Sequence, residues 1–178
     1  MAKKQTTLVI HPADTTTDFL NVIYQGTDWT VINHDISDHS LRTLISRHDR
    51  IIMLGHGFQG GLLGYDKIVI NSSHVDLLRT KKLVGIWCFA NHFFEGHELL
   101  GIYTDMIISE AQEAEAFGVE YTDGFIDRSN KMFALAVRDS IISDEPIQTF
   151  REMYRSNLNP VIKWNQDNFY HAYQVIQI

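Results

Sequence analysis

Three short apolar runs limit what this chain can fold into. They are Thr7-Leu8-Val9-Ile10, Arg50-Ile51-Ile52-Met53-Leu54 and Leu83-Val84-Gly85-Ile86-Trp87. Each is short for a buried helix, and none alternates with polar residues. Strands covered on both faces read this way, and parallel sheets are covered on both faces. Between the runs stand segments with helical spacing. Residues 16–25 come after Asp14 or Thr15 as cap, with Asp18 closing a box with Thr15. Residues 39–47 put Leu41, Leu44 and Ile45 on one face. Residues 74–82 come after a capping box of Ser73 and Asp76. Further strands are predicted at 29–33, at 67–70 as one arm of a hairpin, and at 105–109.

Strand and helix in alternation make right-handed βαβ units. The expected fold class is therefore α/β: a doubly wound, mainly parallel sheet of about five or six strands with a helical C-terminal part. A chain of 178 residues suits one domain, with its core over residues 7–110. Residues 128–143 and 147–155 read as helices, the first with Phe133, Val137 and Ile141 as its buried stripe. Turn residues cluster at 121–128, and residues 164–178 read as a closing helix or strand.

Charge and composition exclude several functions. The net charge is −7 and the basic residues are scattered, which argues against a nucleic-acid partner. No apolar run approaches the roughly 20 residues of a membrane span, so no membrane partner is expected. The apolar stretch near the N-terminus suits a strand better than a signal peptide, which makes the cytoplasm the expected location. The one cysteine, Cys88, excludes an internal disulfide and a multi-cysteine zinc site. Nine histidines are present without metal-binding spacing, so neither metal nor cofactor is expected. Gly60-Gly61 lacks the spacing of a phosphate-binding loop.

In open α/β sheets, ligands and catalytic groups lie beyond the C-terminal ends of the strands. His11 and Asp14 stand after the first strand, His34 and Asp35 after the second, Gly55-His56-Gly57 after the third and Cys88 after the fourth. A histidine beside a cysteine can take the thiol proton or stabilise the thiolate. The unshielded amide of Gly57 and the amide of Cys88 could hold an oxyanion.

The runs "IIMLGHG" (51–57) and "LVGIWC" (83–88) resemble the caspase-like cysteine peptidases, a family that includes caspases, metacaspases, gingipains, legumains and separases. The likeness covers about residues 7–110 and suggests a small bacterial or phage member. It implies a caspase- or flavodoxin-like fold, with His56 as general base and Cys88 as nucleophile. Gly57 and Cys88 then form the oxyanion hole. His11 and Asp14, after the first strand, become substrate-binding residues, and an acidic Asp14 implies a basic residue before the cut. The implied partner is a peptide or protein substrate, with a second copy of the chain as a further candidate. Two departures stand out: Trp87 precedes the cysteine where many members have a small residue, and Phe89-Ala90-Asn91 comes after it. The alternative readings are a catalytically silent binding module for a protein or small metabolite, and a small-ligand sensor built on His11, His34, His56 and His92.

Overall fold

The computed structural model describes residues 5–143 and 159–172. Nine strands are described: β1 (Thr7–Ile10), β2 (Thr30–Ile32), β3 (Arg50–Leu54), β4 (Gly57–Phe58), β5 (Gly61–Gly64), β6 (Lys67–Ile70), β7 (Lys82–Ile86), β8 (Gly101–Thr104) and β9 (Phe169–Ala172). The helices are a 3₁₀ helix at Thr15–Ile23, α1 (Asp38–Arg47), α2 (Val75–Leu78), α3 (Ala90–Gly96), α4 (Ala111–Ala116), α5 (Asp123–Ile142) and α6 (Pro160–Asp167). A single 3₁₀ turn at Ser72–His74 leads into α2.

The main sheet has the order β2-β1-β3-β7-β8-β9. The pairs β1–β2, β1–β3, β3–β7 and β7–β8 are all parallel. Chain order reverses between β1 and β3, which makes that edge the topological switch point of a doubly wound sheet. The fold is thus α/β and mainly parallel, as the apolar runs predict. A second, antiparallel sheet, β4-β5-β6, grows directly from the end of β3. Lys67–Ile70 is indeed the outer arm of its hairpin.

The chain divides into two compact units. One comprises residues 1–13, 27–105 and 170–178. Its core joins Leu8, Ile10, Ile51, Met53, Leu83 and Trp87 of the sheet to Leu41 and Ile45 of α1 and to Phe93 and Phe94 of α3. The other comprises residues 14–26 and 106–169. In it, α5 packs against both the 3₁₀ helix and α6. Among the described residues, no helix is long and apolar enough to cross a membrane.

Four elements depart from the sequence expectation. Segment 105–109 is not a strand, and β8 lies at Gly101–Thr104. Gly101 explains the shift: at φ +155° its backbone approaches Leu83 so closely that a Cβ would sit 2.2 Å from the Leu83 carbonyl oxygen. The apolar Ile107 and Ile108 are buried. Backbone groups of that loop are satisfied by side chains: Asn165 Oδ1 accepts from Ile108 N–H (2.7 Å) and Asn165 Nδ2 donates to the Ile108 carbonyl (2.8 Å). The 74–82 helix shrinks to Val75–Leu78, with no side-chain cap bond of its own; the cap is Asn71 on the preceding 3₁₀ turn, whose Oδ1 accepts from Ser73 N–H. The first helix is 3₁₀, with Asp14 as its cap. Three successive threonines at its start restrict χ1 and lower α-helical preference. The 128–143 helix begins earlier, at Asp123, so the turn-rich segment 121–128 becomes its capped start, with Thr122 accepting from Phe125 N–H. The predicted helix at 147–155 lies outside the described residues.

Two half-buried or buried imidazoles make stability fall with acid. His74 is 1% exposed; its Nδ1 accepts from Asn71 N–H, and its Nε2 lies 3.0 Å from Asp38 Oδ1 but off the N–H axis. Burial, together with the nearby Arg42, holds its pKa below the ordinary value despite Asp38. Burial pushes His171 down to about 4. In the unfolded chain both regain a pKa of about 6.5, so below that pH the unfolded state binds more protons and gains on the native state. The urea midpoint should therefore hold above about pH 7 and fall steadily between about 6.5 and 4. His171→Gln should flatten that fall. A midpoint constant across this window would contradict the burial of both rings.

Candidate functional site

The site is set by the β3–β7 ladder. Its pairs run from Arg50 with Lys82 to Leu54 with Ile86, without a slip. Its last bond runs from Gly55 N–H to the Ile86 carbonyl (3.1 Å) and closes the Leu54–Ile86 pair. His56 and Cys88 each lie two residues past that last pair, beyond the end of the ladder. The two residues picked out by sequence thus come just after the C-terminal ends of neighbouring parallel strands. Neighbouring strands run about 4.8 Å apart, within reach of a short thiol and an imidazole. His56 is exposed and Cys88 half-buried.

Both strands end in a sharp turn. After β7, Ala90 N–H donates to the Trp87 carbonyl (3.2 Å), closing a four-residue turn over Cys88 and Phe89. Phe89 takes φ +66° and ψ 28°, left-handed values that a bulky residue rarely adopts. The same carbonyl accepts a second bond from Thr104 Oγ1 (2.9 Å), whose side chain is fully buried. Cys88 therefore sits on a strained strand-to-helix turn pinned from two sides. Turns of this kind recur as holders of a nucleophile.

After β3 the chain bends at Gly55, at φ +134°, and enters β4. Trp87 locks this bend. Its ring is fully buried against Phe93 and Phe94, and its Nε1–H donates to the Phe58 carbonyl (3.1 Å). Gly57 lies flat on that ring: a Cβ there would be 2.1 Å from Trp87 Cδ1 and 2.7 Å from the Gly61 oxygen. Trp87, the residue that departs from the family pattern, turns into the core and braces the histidine segment. Leu63 N–H donates to the His56 carbonyl (2.8 Å), next to the Gly57–Leu62 pair. Antiparallel pairs alternate, so Gly57 is in a non-hydrogen-bonded pair and its N–H points away from β5. That orientation suits an oxyanion donor.

No protein-family model, curated protein or solved structure gives a significant match to the chain.

The remaining sequence candidates separate. His11 is 3% exposed; its N–H donates to the Ile32 carbonyl, and its Cδ2 lies 3.9 Å from where a Gly55 Cβ would be. It therefore packs behind the Gly55 bend. Asp14 is exposed and caps the 3₁₀ helix through Thr16 N–H (2.9 Å) and Thr16 Oγ1 (2.6 Å). It belongs to the other compact unit. His34 is exposed at the end of β2, and His92 is exposed on α3, its ring 6.2 Å from that of Phe89. Among the described residues, no group of three or more His, Cys, Asp and Glu could hold a metal ion. Sequence reasoning missed Thr104, whose only local signal is a hydroxyl at a strand end, and the bracing role of Trp87.

Proposed function

We propose that the chain is a caspase-like cysteine endopeptidase working through Cys88 and His56. The observation that supports the reading is that each of these residues lies two positions past the end of one of two adjacent parallel strands, β3 and β7. In this mechanism His56 takes the thiol proton and the Cys88 thiolate attacks the peptide carbonyl carbon. The oxyanion forms between the Gly57 and Cys88 amides. Collapse of this intermediate breaks the C–N bond, and His56 returns the proton to the leaving amine. Water, deprotonated by His56, then hydrolyses the thioester and regenerates the thiol. A reducing compartment such as the cytoplasm would keep Cys88 in the thiol form this chemistry needs.

A peptidyl acyloxymethyl ketone tests this directly. Intact-mass analysis should find one adduct on the folded protein, mapped to Cys88, and labelling should collapse when the protein is unfolded in urea. Equal labelling of folded and unfolded protein would mean an ordinary thiol and would end the proposal.

A further inference from the structure

A cleft opens one strand away from His56, at the ends of β1 and β2 and under the β5–β6 hairpin. Its floor is Ile10, Ile32 and Leu41, all buried, and one wall is Pro12 and Tyr65. Its cavity volume is about 80 Å³, below the range of pockets that hold whole small-molecule ligands, which points to a single side chain as its guest. The hairpin is fixed in place over it. Gly64 lies flat on Pro12, where a Cβ would be 2.4 Å from Pro12 Cβ. Tyr65 and Asp66 both take positive φ, as a two-residue hairpin turn requires, and the Tyr65 hydroxyl accepts from Ala13 N–H (3.2 Å).

Charges at the rim are already matched. Lys67 Nζ bonds Asp35 Oδ1 and the Ile36 carbonyl, and Asp38 bonds Arg42 Nε (2.6 Å) and approaches His74. A charged guest would have to compete with these pairs, whereas an apolar one meets a ready floor. Pro12 stands between the cleft and the Gly55 bend, its Cδ 3.8 Å from the Gly55 Cβ position. From midway between β1 and β2 to β7 is about two and a half strand spacings, or roughly 12 Å. An extended peptide covers that in three or four residues at about 3.4 Å each.

We infer that this cleft selects the substrate of the Cys88–His56 site by taking one uncharged, apolar side chain, of leucine or phenylalanine size, three or four residues from the attacked bond. The inference rests on the peptidase reading for the identity of its occupant. Selection then depends on apolar burial under the hairpin and not on the carboxylate of Asp14.

Binding to Cys88→Ala protein tests it without requiring turnover. Fluorescent, N-acetylated hexapeptide amides would carry Leu, Phe, Ala, Asp or Lys at each position in turn, with Kd read by anisotropy. One position should prefer Leu or Phe over Ala, Asp and Lys by at least about tenfold. Ile68→Glu places a carboxylate on the cleft rim at a residue 41% exposed, so the fold should tolerate it. It should erase the preference at that position alone, and Ile68→Ala should reduce it part-way. A flat profile, a charged preference at the Ile68-sensitive position, or no peptide binding would each overturn the inference. The peptidase reading is judged separately, by whether Cys88 reactivity in otherwise wild-type protein depends on His56, so the two can fail independently.

Discussion

Gly57→Ala should cost about 2–4 kcal/mol of stability and lower Tm by roughly 5–15 °C, a large effect for adding one methyl group. The new carbon would lie 2.1 Å from Trp87 Cδ1 and 2.5 Å from Cγ, and neither side can easily give way. The ring is fully buried between Phe93 and Phe94 and tied to the Phe58 carbonyl. On the other side the nearest atom is the Gly61 oxygen, part of the short β4–β5 pairing. Over-packing of such a site costs about 1–3 kcal/mol, and a lost Nε1 hydrogen bond adds about 1. Trp87→Leu in the Gly57→Ala background should recover part of the loss, because the two changes share one contact and cannot be additive. Thermal melts of the four proteins give this coupling. Additive losses, or a Gly57→Ala Tm within about 2 °C of wild type, would contradict the packing of Gly57 on Trp87.

This contact also marks where sequence reading stops. β3 and β6 are legible to the residue because apolar or β-branched runs are bounded there by turn residues. β7 is displaced by one position: Trp87 is as apolar as a strand residue, but its carbonyl is already committed to the turn at Ala90. The segment 105–109 carries Met106-Ile107-Ile108 and reads as a strand, but the partner for its backbone is the amide of Asn165, far along the chain. Local pattern cannot report a side chain standing in for a neighbouring strand. At the site, His56 and Cys88 are visible because each interrupts an apolar run at its end. The glycine beside them is visible too, but for an incomplete reason: beyond leaving an amide open, it makes room for a tryptophan ring. Thr104, Tyr65 and the cleft under the hairpin arise from contacts between distant segments, and no motif announces them.

His56→Ala should slow alkylation of Cys88 about tenfold at pH 5.5, the largest functional effect expected of a single change away from the thiol. An unassisted cysteine titrates near 8.5, whereas a thiol paired with an imidazolium titrates lower. A lowered pKa leaves more thiolate at pH 5.5, and the weaker nucleophilicity of a more acidic thiol takes back only part of that gain. Thr104→Val, which keeps the side-chain shape and removes the bond to the Trp87 carbonyl, belongs in the same series as a probe of the turn that carries Cys88.

The most direct measurement is the full pH–rate profile of iodoacetamide alkylation of Cys88, in wild type and in His56→Ala. Because Cys88 is the single cysteine, the reaction reports on one atom. A working pair gives a wild-type inflection below that of an unassisted cysteine, which moves up to about 8.5 in the variant, with the rates converging at high pH. Superimposable profiles, both inflecting near 8.5, would show that the placement of His56 and Cys88 past neighbouring strand ends carries no chemistry.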